Sequence, residues 1–356
     1  MKKFIVVAAL LLAACGSSSS SSSSSTGTTY TALNYTDAAA GSSTLITGVR
    51  AVDNASTTDT TANVYISGFY APTSGNKVGL LYTGPVSGTG TWQTLNFPSS
   101  TGATVSGTEL YGPNNGSTSG TVQIVGNYTT TENGSGALGL LYQGATDGSG
   151  TWSTLNPQSL EPHRSILNTI AHSTMGGFVV GNYDTDLITG KAFIYDIAND
   201  TYYAITKPGA VSITAYGIWY NGGTSYTIAG GFSNTNSGGI STAYVVDWDS
   251  STHTTSNWTT YTYNNLASAI THFEGITTDN NGGYNLVADW VIGNTLGAAF
   301  VNIPRTSNGA FGTATWTSYA YPGATITSAN TIFLNNALGI FQTGTGISYG
   351  YVATFN

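Results

Sequence analysis

Trp92-Gln93-Thr94-Leu95-Asn96-Phe97-Pro98 is a phrase that this chain keeps returning to. It recurs as Trp152-Ser153-Thr154-Leu155-Asn156-Pro157 and as Trp316-Thr317-Ser318-Tyr319-Ala320-Tyr321-Pro322, with looser copies opening at Tyr30, Tyr202 and Trp258. The leading aromatics stand 62, 60, 50, 56 and 58 residues apart. A period of that size sets the architecture before any local reading does. Within the phrase, the aromatic and the Leu, Ile or Tyr three positions on point to opposite faces, as they do on a strand.

Three more strands follow each phrase. The second, such as 43–52 or 213–220, comes after a turn rich in Gly, Ser and Pro. The third is the most regular, with a small residue two places before an aromatic: Gly68 and Tyr70, Gly126 and Tyr128, Gly181 and Tyr183, Gly230 and Phe232, Ala288 and Trp290. The last copy departs from this rule, placing Gln342 in the aromatic column. The fourth opens on Gly79, Gly139, Ala192, Ala243, Ala299 or Gly350 and runs apolar, as a strand covered on both faces does. The small columns are expected where a neighbouring sheet approaches closely.

Six copies of four short strands, near 29–84, 91–145, 151–199, 201–249, 257–303 and 315–356, predict an all-β fold. The expected architecture is a six-bladed β-propeller of four-stranded blades. A β-solenoid has shorter coils, and a pair of sandwiches would not repeat its columns six times. The first phrase lacks a preceding partner and the last strand lacks a following one. With the phrase outermost, the amino-terminal strand completes the last blade and closes the ring.

Residues 1–15 read as an export signal. Met1-Lys2-Lys3 is a positive n-region, Phe4 to Leu12 a short apolar run, and Leu12-Ala13-Ala14-Cys15 sets small residues before the single cysteine. This resembles the lipobox of bacterial lipoproteins, which implies acylation of Cys15, membrane attachment through that lipid, and, with Gly16 next, sorting to the outer membrane. Residues 16–28 form a Ser-rich tether, and 29–356 the propeller. One cysteine forms no intrachain disulfide. Beyond the signal, six basic residues face sixteen acidic ones, a net charge of −10, so no basic stripe exists for nucleic acid.

The run Gly-Asn-Tyr, then Gly-Leu-Leu-Tyr, then Thr-Trp-x-Thr-Leu-Asn-x-Pro, best carried by residues 63–98 and 121–157, is similar to the HAF-type extracellular repeats of bacterial surface proteins. The resemblance implies a propeller-like secreted repeat protein and transfers no catalytic residue.

Only 7% of residues are charged, against about 25% in an average protein, so charge positions are informative. The strand after the phrase is expected to line the central channel. It carries Arg50, Glu109, Arg164, His172, His272 and Glu274, a candidate ligand-binding set. Two readings of that set stand side by side: convergence on a polar ligand, or structural pairing of Arg50 with Glu109 and histidines satisfied by backbone. Thr146 to Trp152 resembles the Asp-box of sialidases, but Ser149 stands where that motif has Gly, and Arg305 lies on a different strand type from Arg50 and Arg164. Asp184 with Asp186, and Asp247 with Asp249 and Ser251, lack the continuation of a calcium loop. Neither the four histidines nor any cysteine in the fold gives zinc-ligand spacing. No metal or cofactor is expected, and the chain is read as a monomer.

Two functions follow. The first is an outer-membrane-anchored lipoprotein, periplasmic or surface-exposed, whose propeller binds a protein or glycan without catalysis. The alternative is a polysaccharide-active enzyme, glycosidase or lyase, at the channel mouth. Glu109 or Glu274 would then be its acid or base, since glycoside hydrolysis uses two carboxyls facing across a sugar.

Overall fold

The computed structural model describes residues 27–54, 62–134, 136–187, 189–234, 241–344 and 346–356. Cys15 and most of the Ser-rich segment lie outside the described residues.

Twenty-four strands form six four-stranded antiparallel sheets, the blades of a propeller. Blade one holds β2 (Ser43–Ala51), β3 (Asn63–Ala71), β4 (Val78–Pro85) and β5 (Thr91–Thr94). Blade two holds β6 (Val105–Asn115), β7 (Thr121–Thr130), β8 (Leu138–Ala145) and β9 (Thr151–Leu155); blade three holds β10 (Ile166–Met175), β11 (Phe178–Thr185), β12 (Gly190–Asp196) and β13 (Thr201–Ile205). Blade four holds β14 (Ala210–Gly222), β15 (Ser225–Asn234), β16 (Ser241–Asp249) and β17 (Thr254–Tyr261); blade five holds β18 (Ile270–Thr278), β19 (Tyr284–Ile292), β20 (Thr295–Ile303) and β21 (Thr315–Tyr319). Blade six is β22 (Ile326–Phe333), β23 (Asn336–Gln342) and β24 (Ser348–Phe355), completed by β1 (Thr28–Ala32). The aromatic phrase is the outermost strand of each blade, and the strand after it is the innermost of the next.

Closure uses the same chemistry as an ordinary blade. The Leu95 N–H donates to the Gly79 carbonyl at 2.9 Å, and Asn96 Oδ1 accepts from the Gly79 N–H at 3.2 Å. At the seam, Leu33 donates to the Gly350 carbonyl at 2.8 Å and Asn34 Oδ1 accepts from the Gly350 N–H at 3.0 Å. The Leu-Asn pair of the phrase therefore brackets the small residue at the start of the third strand. A sheet edge left open there would expose unpaired backbone groups.

The apolar interior is divided into wedges. Each hydrophobic cluster spans one blade interface, such as Leu33, Ile46 and Val352 between blades six and one, or Tyr261, Phe273 and Val301 between four and five. Aromatics fill these wedges because the gap widens outward and only large planar groups span it. In three copies the residue five places after the leading aromatic stacks on the next blade: Phe97 on Tyr128 at 3.8 Å, Tyr263 on Trp290 at 4.4 Å and Tyr321 on Phe341 at 3.7 Å. Lys207 holds the same column and lays its ammonium 4.5 Å over Phe232.

Two sequence expectations change here. The aromatic column of blade six is held by Phe341, not Gln342: Gly339 pairs with Ala329 as Gly126 pairs with Leu110, so the column continues unbroken. The glycines of the second strand do not face a neighbouring sheet. A Cβ at Gly68, Gly126, Gly181, Gly230 or Gly339 would run into the carbonyl of Leu45, Glu109, Ile170, Thr214 or Ser328, each on the inner strand of the same blade. Gly79 and Gly139 do meet the next blade, at the side chains of Leu110 and Thr169, as well as their own phrase.

Candidate functional site: the axial channel and an off-axis recess

Every inner strand breaks register near its middle. The extra residue is Thr47, His172, Tyr216, Glu274 or Asn330, and in blade two the wider pair Tyr111-Gly112. A bulge re-aims the side chain it inserts, and here six of them ring the axis. A glycine at or just after the bulge in four blades, Gly48, Gly112, Gly217 and Gly275, lets the next inner strand pass close by. A Cβ at Gly112 would lie 2.6 Å from Ser173 Cα, and one at Gly275 would lie 2.9 Å from Thr331 Cα.

The bulge residues stitch neighbouring blades together. Thr47 Oγ1 donates to the Leu110 carbonyl at 2.6 Å, and Asn330 Nδ2 donates to the Ile46 carbonyl at 2.6 Å. Tyr111, His172 and Tyr216 follow edge to face at 5.2 and 4.5 Å, and Tyr216 stacks on His272 at 6.2 Å. His172 Nε2 is 2.6 Å from Asn182 Oδ1, so its partner is a side chain of its own blade rather than backbone. The space left inside is about 20 Å³, room for a single water molecule.

Arg50 does not pair with Glu109. Its guanidinium reaches across the axis to lie 5.3 Å from the ring of Trp219, in the blade diametrically opposite. No ion pair to it is present among the described residues, and burial pushes its pKa down to about 10. Glu109 sits to the side, bonded at 2.5 Å to the half-exposed Lys77 and accepting from the Tyr111 hydroxyl at 3.3 Å. Arg164 is not on an inner strand. It lies in the turn before β10 and pairs with Asp186 at 3.0 Å in solvent. The sequence placed it in the channel because it precedes the first residues of β10 by so little. Of the six expected residues, Arg50, His172 and Glu274 line the axial cavity; His272 lies beside it, Glu109 at its side, and Arg164 outside.

Glu274 has a partner that sequence reasoning missed, Asp289 on the adjacent β19. Asp289 accepts from Ser328 Oγ at 2.6 Å and from the Ala329 N–H at 2.8 Å, joining blade five to blade six. Burial, with Asp289 close by, holds the Glu274 carboxyl well above the ordinary range. Burial likewise pushes Asp289 up to about 7, against the lowering effect of its two donors. His272 Nδ1 is 3.9 Å from Glu274 Oε1, yet burial pushes His272 and His172 down to about 4. Burial at the axis thus disfavours the charged forms of both imidazoles and of the carboxyls. The axial cluster can hold a water and lock six blades; it has no room for a sugar ring.

A larger space opens off the axis. Between blades four and five, at the end where the inner strands finish, a recess of about 520 Å³ is walled by Trp219, Tyr220, Asn221 and Tyr284. Its floor is the ion pair of Arg305 and Asp247. Arg305 Nη1 donates to Asp247 Oδ2 at 2.8 Å and to the Gly309 carbonyl at 2.7 Å. Nη2 bonds Asp247 Oδ1, and reaches Thr227 Oγ1 at 3.0 Å and the Tyr284 hydroxyl at 3.1 Å. The guanidinium stands over Phe311 at 3.8 Å and Tyr284 at 5.3 Å. Asp247 also accepts from Asn257 Nδ2 at 2.8 Å. Asp247 thus serves an arginine, and no group of three or more metal-ligating side chains occurs among the described residues. The second carboxylate of that stretch, Asp249, caps its own turn through Ser251 and Thr252. No sequence motif marks the recess, since its walls come from four different strand positions.

No protein-family model matches the chain, and no curated protein is detectably similar. Solved propellers are similar in shape. A GH93 α-L-arabinofuranosidase of Fusarium graminearum in complex with arabinobiose aligns over 92% of this chain and 97% of its own, with a TM-score of 0.52 and 10% identity. An α-L-arabinanase of Penicillium chrysogenum complexed with arabinobiose aligns over 92% and 98%, at 0.50 and 10%. A luciferin-regenerating enzyme aligns over 92% and 95%, at 0.50 and 12%. At these identities the likeness extends to the fold alone: six four-stranded blades.

Proposed function

We propose that this protein is an outer-membrane-anchored lipoprotein whose propeller is a non-catalytic binding module for a protein or a glycan. The observation that carries the reading is the contrast in space. The channel where charges converge admits about one water, whereas the off-axis recess has the size of a small-molecule site and an aromatic and hydrogen-bonding lining. The anchor would be the acylated Cys15, held off the membrane by the tether. A glycan array run beside a polysaccharide hydrolysis assay tests the reading. Binding without turnover supports it; turnover overturns it. Cys15→Ala should release the protein from membranes without unfolding it, and retained attachment would overturn the anchor.

An enzyme reading would rest on the carboxyls Glu274 and Asp289 of adjacent strands, yet the axial cavity beside Glu274 holds about one water. On that reading Glu274→Gln abolishes turnover while leaving the protein folded.

A further inference from the structure

We infer that the recess between blades four and five binds a neutral saccharide, with Trp219 as its stacking face, an assignment that rests on the binding-module reading above. Three features of the recess argue for that ligand. The first is the wall. Tyr220 is 38% exposed, an unusual position for a large aromatic that has an apolar wedge beside it. Its ring packs 5.0 Å from Tyr226 on the side toward blade three, so it borders the recess only at the rim and the wall proper is Trp219. Trp219, one residue earlier, is half-buried against the blade four–five core and is held through the axis by Arg50. Rigid aromatic faces offer contact area at small entropic cost, and the C–H faces of a sugar ring match them.

The second feature is the charge. Arg305 already directs its terminal nitrogens at Asp247, Thr227, Tyr284 and the Gly309 carbonyl. Asp247 already accepts from Arg305, Thr227 and Asn257. The floor is therefore a neutralised ion pair with no donor fork left to grip a carboxylate. The chain as a whole carries −8, which repels an anionic ligand further. A cationic ligand finds Asp247 taken.

The third feature is the polar rim. Tyr284 donates to Asn221 Oδ1 at 2.8 Å, and Asn221 Nδ2 donates to Thr227 Oγ1 at 3.0 Å. The groups that line the space are thus fixed by one another before any ligand arrives. Asn221 and Ser225 retain acceptor and donor capacity, which suits hydroxyl groups that donate and accept at once. Preorganisation of this sort lowers the ordering cost of binding.

The experiment uses the full chain in a sugar-free nonionic detergent, probed with an array holding neutral and uronate-containing oligosaccharides. The best neutral probe is then titrated calorimetrically against the wild type, Asn221→Ala and Trp219→Ala. The expected result is binding of neutral probes, an affinity unchanged between about 0.05 and 0.5 M salt, and a loss of about tenfold or more in each variant. Asn221→Ala carries the mapping should Trp219→Ala fail to fold, because Asn221 is an exposed residue of the recess. Binding of neutral probes that is indifferent to Asn221→Ala and Trp219→Ala overturns the recess assignment and leaves the binding-module reading standing. Binding confined to uronate probes overturns the neutral class. Failure of the wild type to bind any probe overturns the inference. Hydrolysis of a probe overturns the binding-module reading itself.

Discussion

The axial channel and the off-axis recess hold similar chemical groups and put them to opposite use. Around the axis, imidazoles, carboxyls and a guanidinium converge from all sides, but the six bulges pack them until about one water fits. In the recess, one Arg–Asp pair satisfies itself and leaves open space above it. Convergence of charged residues is thus a poor guide to a binding site in a small propeller, because the axis is where the blades come closest. What marks a site is a polar network complete without the ligand, next to room for one.

The comparison can be broken in four ways, taken here from the largest expected effect. Removing residues 28–35 strips blade six of its outer strand and the buried Leu33. Loss of one buried leucine alone removes about 2–3 kcal/mol, and the lost strand pairing adds to it. Blade six supplies Ser328 and Asn330 to the axis and nothing to the recess, so amide exchange should rise first around the channel. Equal exchange in both regions would show that they are one cooperative unit. Arg305→Ala comes next. It leaves Asp247 uncompensated in a largely buried place, a change that costs about 3–5 kcal/mol when the pair is fully buried and somewhat less here. A melting temperature unchanged in that variant would mean the floor is not preorganised by the pair.

Arg50→Met is expected to be milder, about 1 kcal/mol, since it exchanges a buried cation–π contact for an apolar one and relieves a desolvated charge. The smallest effect concerns pH. Glu274 and Asp289 have folded pKa values raised by burial, Asp289 to about 7. Their contribution is full below the unfolded value of about 4 and is lost as pH rises toward 7. His172 and His272 are pushed down to about 4, so their contribution is full above about 6.5 and is lost as pH falls toward 4. The two slopes oppose each other across one window. Glu274→Gln with Asp289→Asn should therefore make stability climb with pH, while His172→Gln with His272→Gln should make it fall. Thermal melts across about pH 4–7 would read both, and parallel curves would show that the axis does not titrate.

The ring was legible in the sequence because its period is written in aromatics: Trp92, Trp152 and Trp316 mark outer strands, and the orphan Tyr30 phrase announces the closing strand. Arg50, His172 and Glu274 were placed at the axis by strand order alone. The bulges were not read, although Thr47-Gly48, Tyr111-Gly112, Tyr216-Gly217 and Glu274-Gly275 share a doublet whose glycine admits the next strand. Arg164 was misplaced because a strand that starts two residues later has no signal of its own after Pro162. The recess was invisible for a deeper reason. Trp219, Asp247, Tyr284 and Arg305 occupy a different strand or loop position in each case, and only tertiary closeness joins them. Asp247 in particular looked like part of a calcium turn, and only its arginine partner on the next blade explains it.

The seam of the ring has one further consequence. Leu33-Asn34 grips Gly350 with the bonds that Leu95-Asn96 uses on Gly79, and Asn356 Nδ2 reaches the Gly27 carbonyl at 2.6 Å. The break between the chain ends is thus bonded as the continuous joint at blade one is. The molecule is a circle that has been cut once, and the cut could be moved. A circular permutant that joins residue 356 to residue 27 and opens the chain ahead of Trp92 has every bond it needs to reach the same fold.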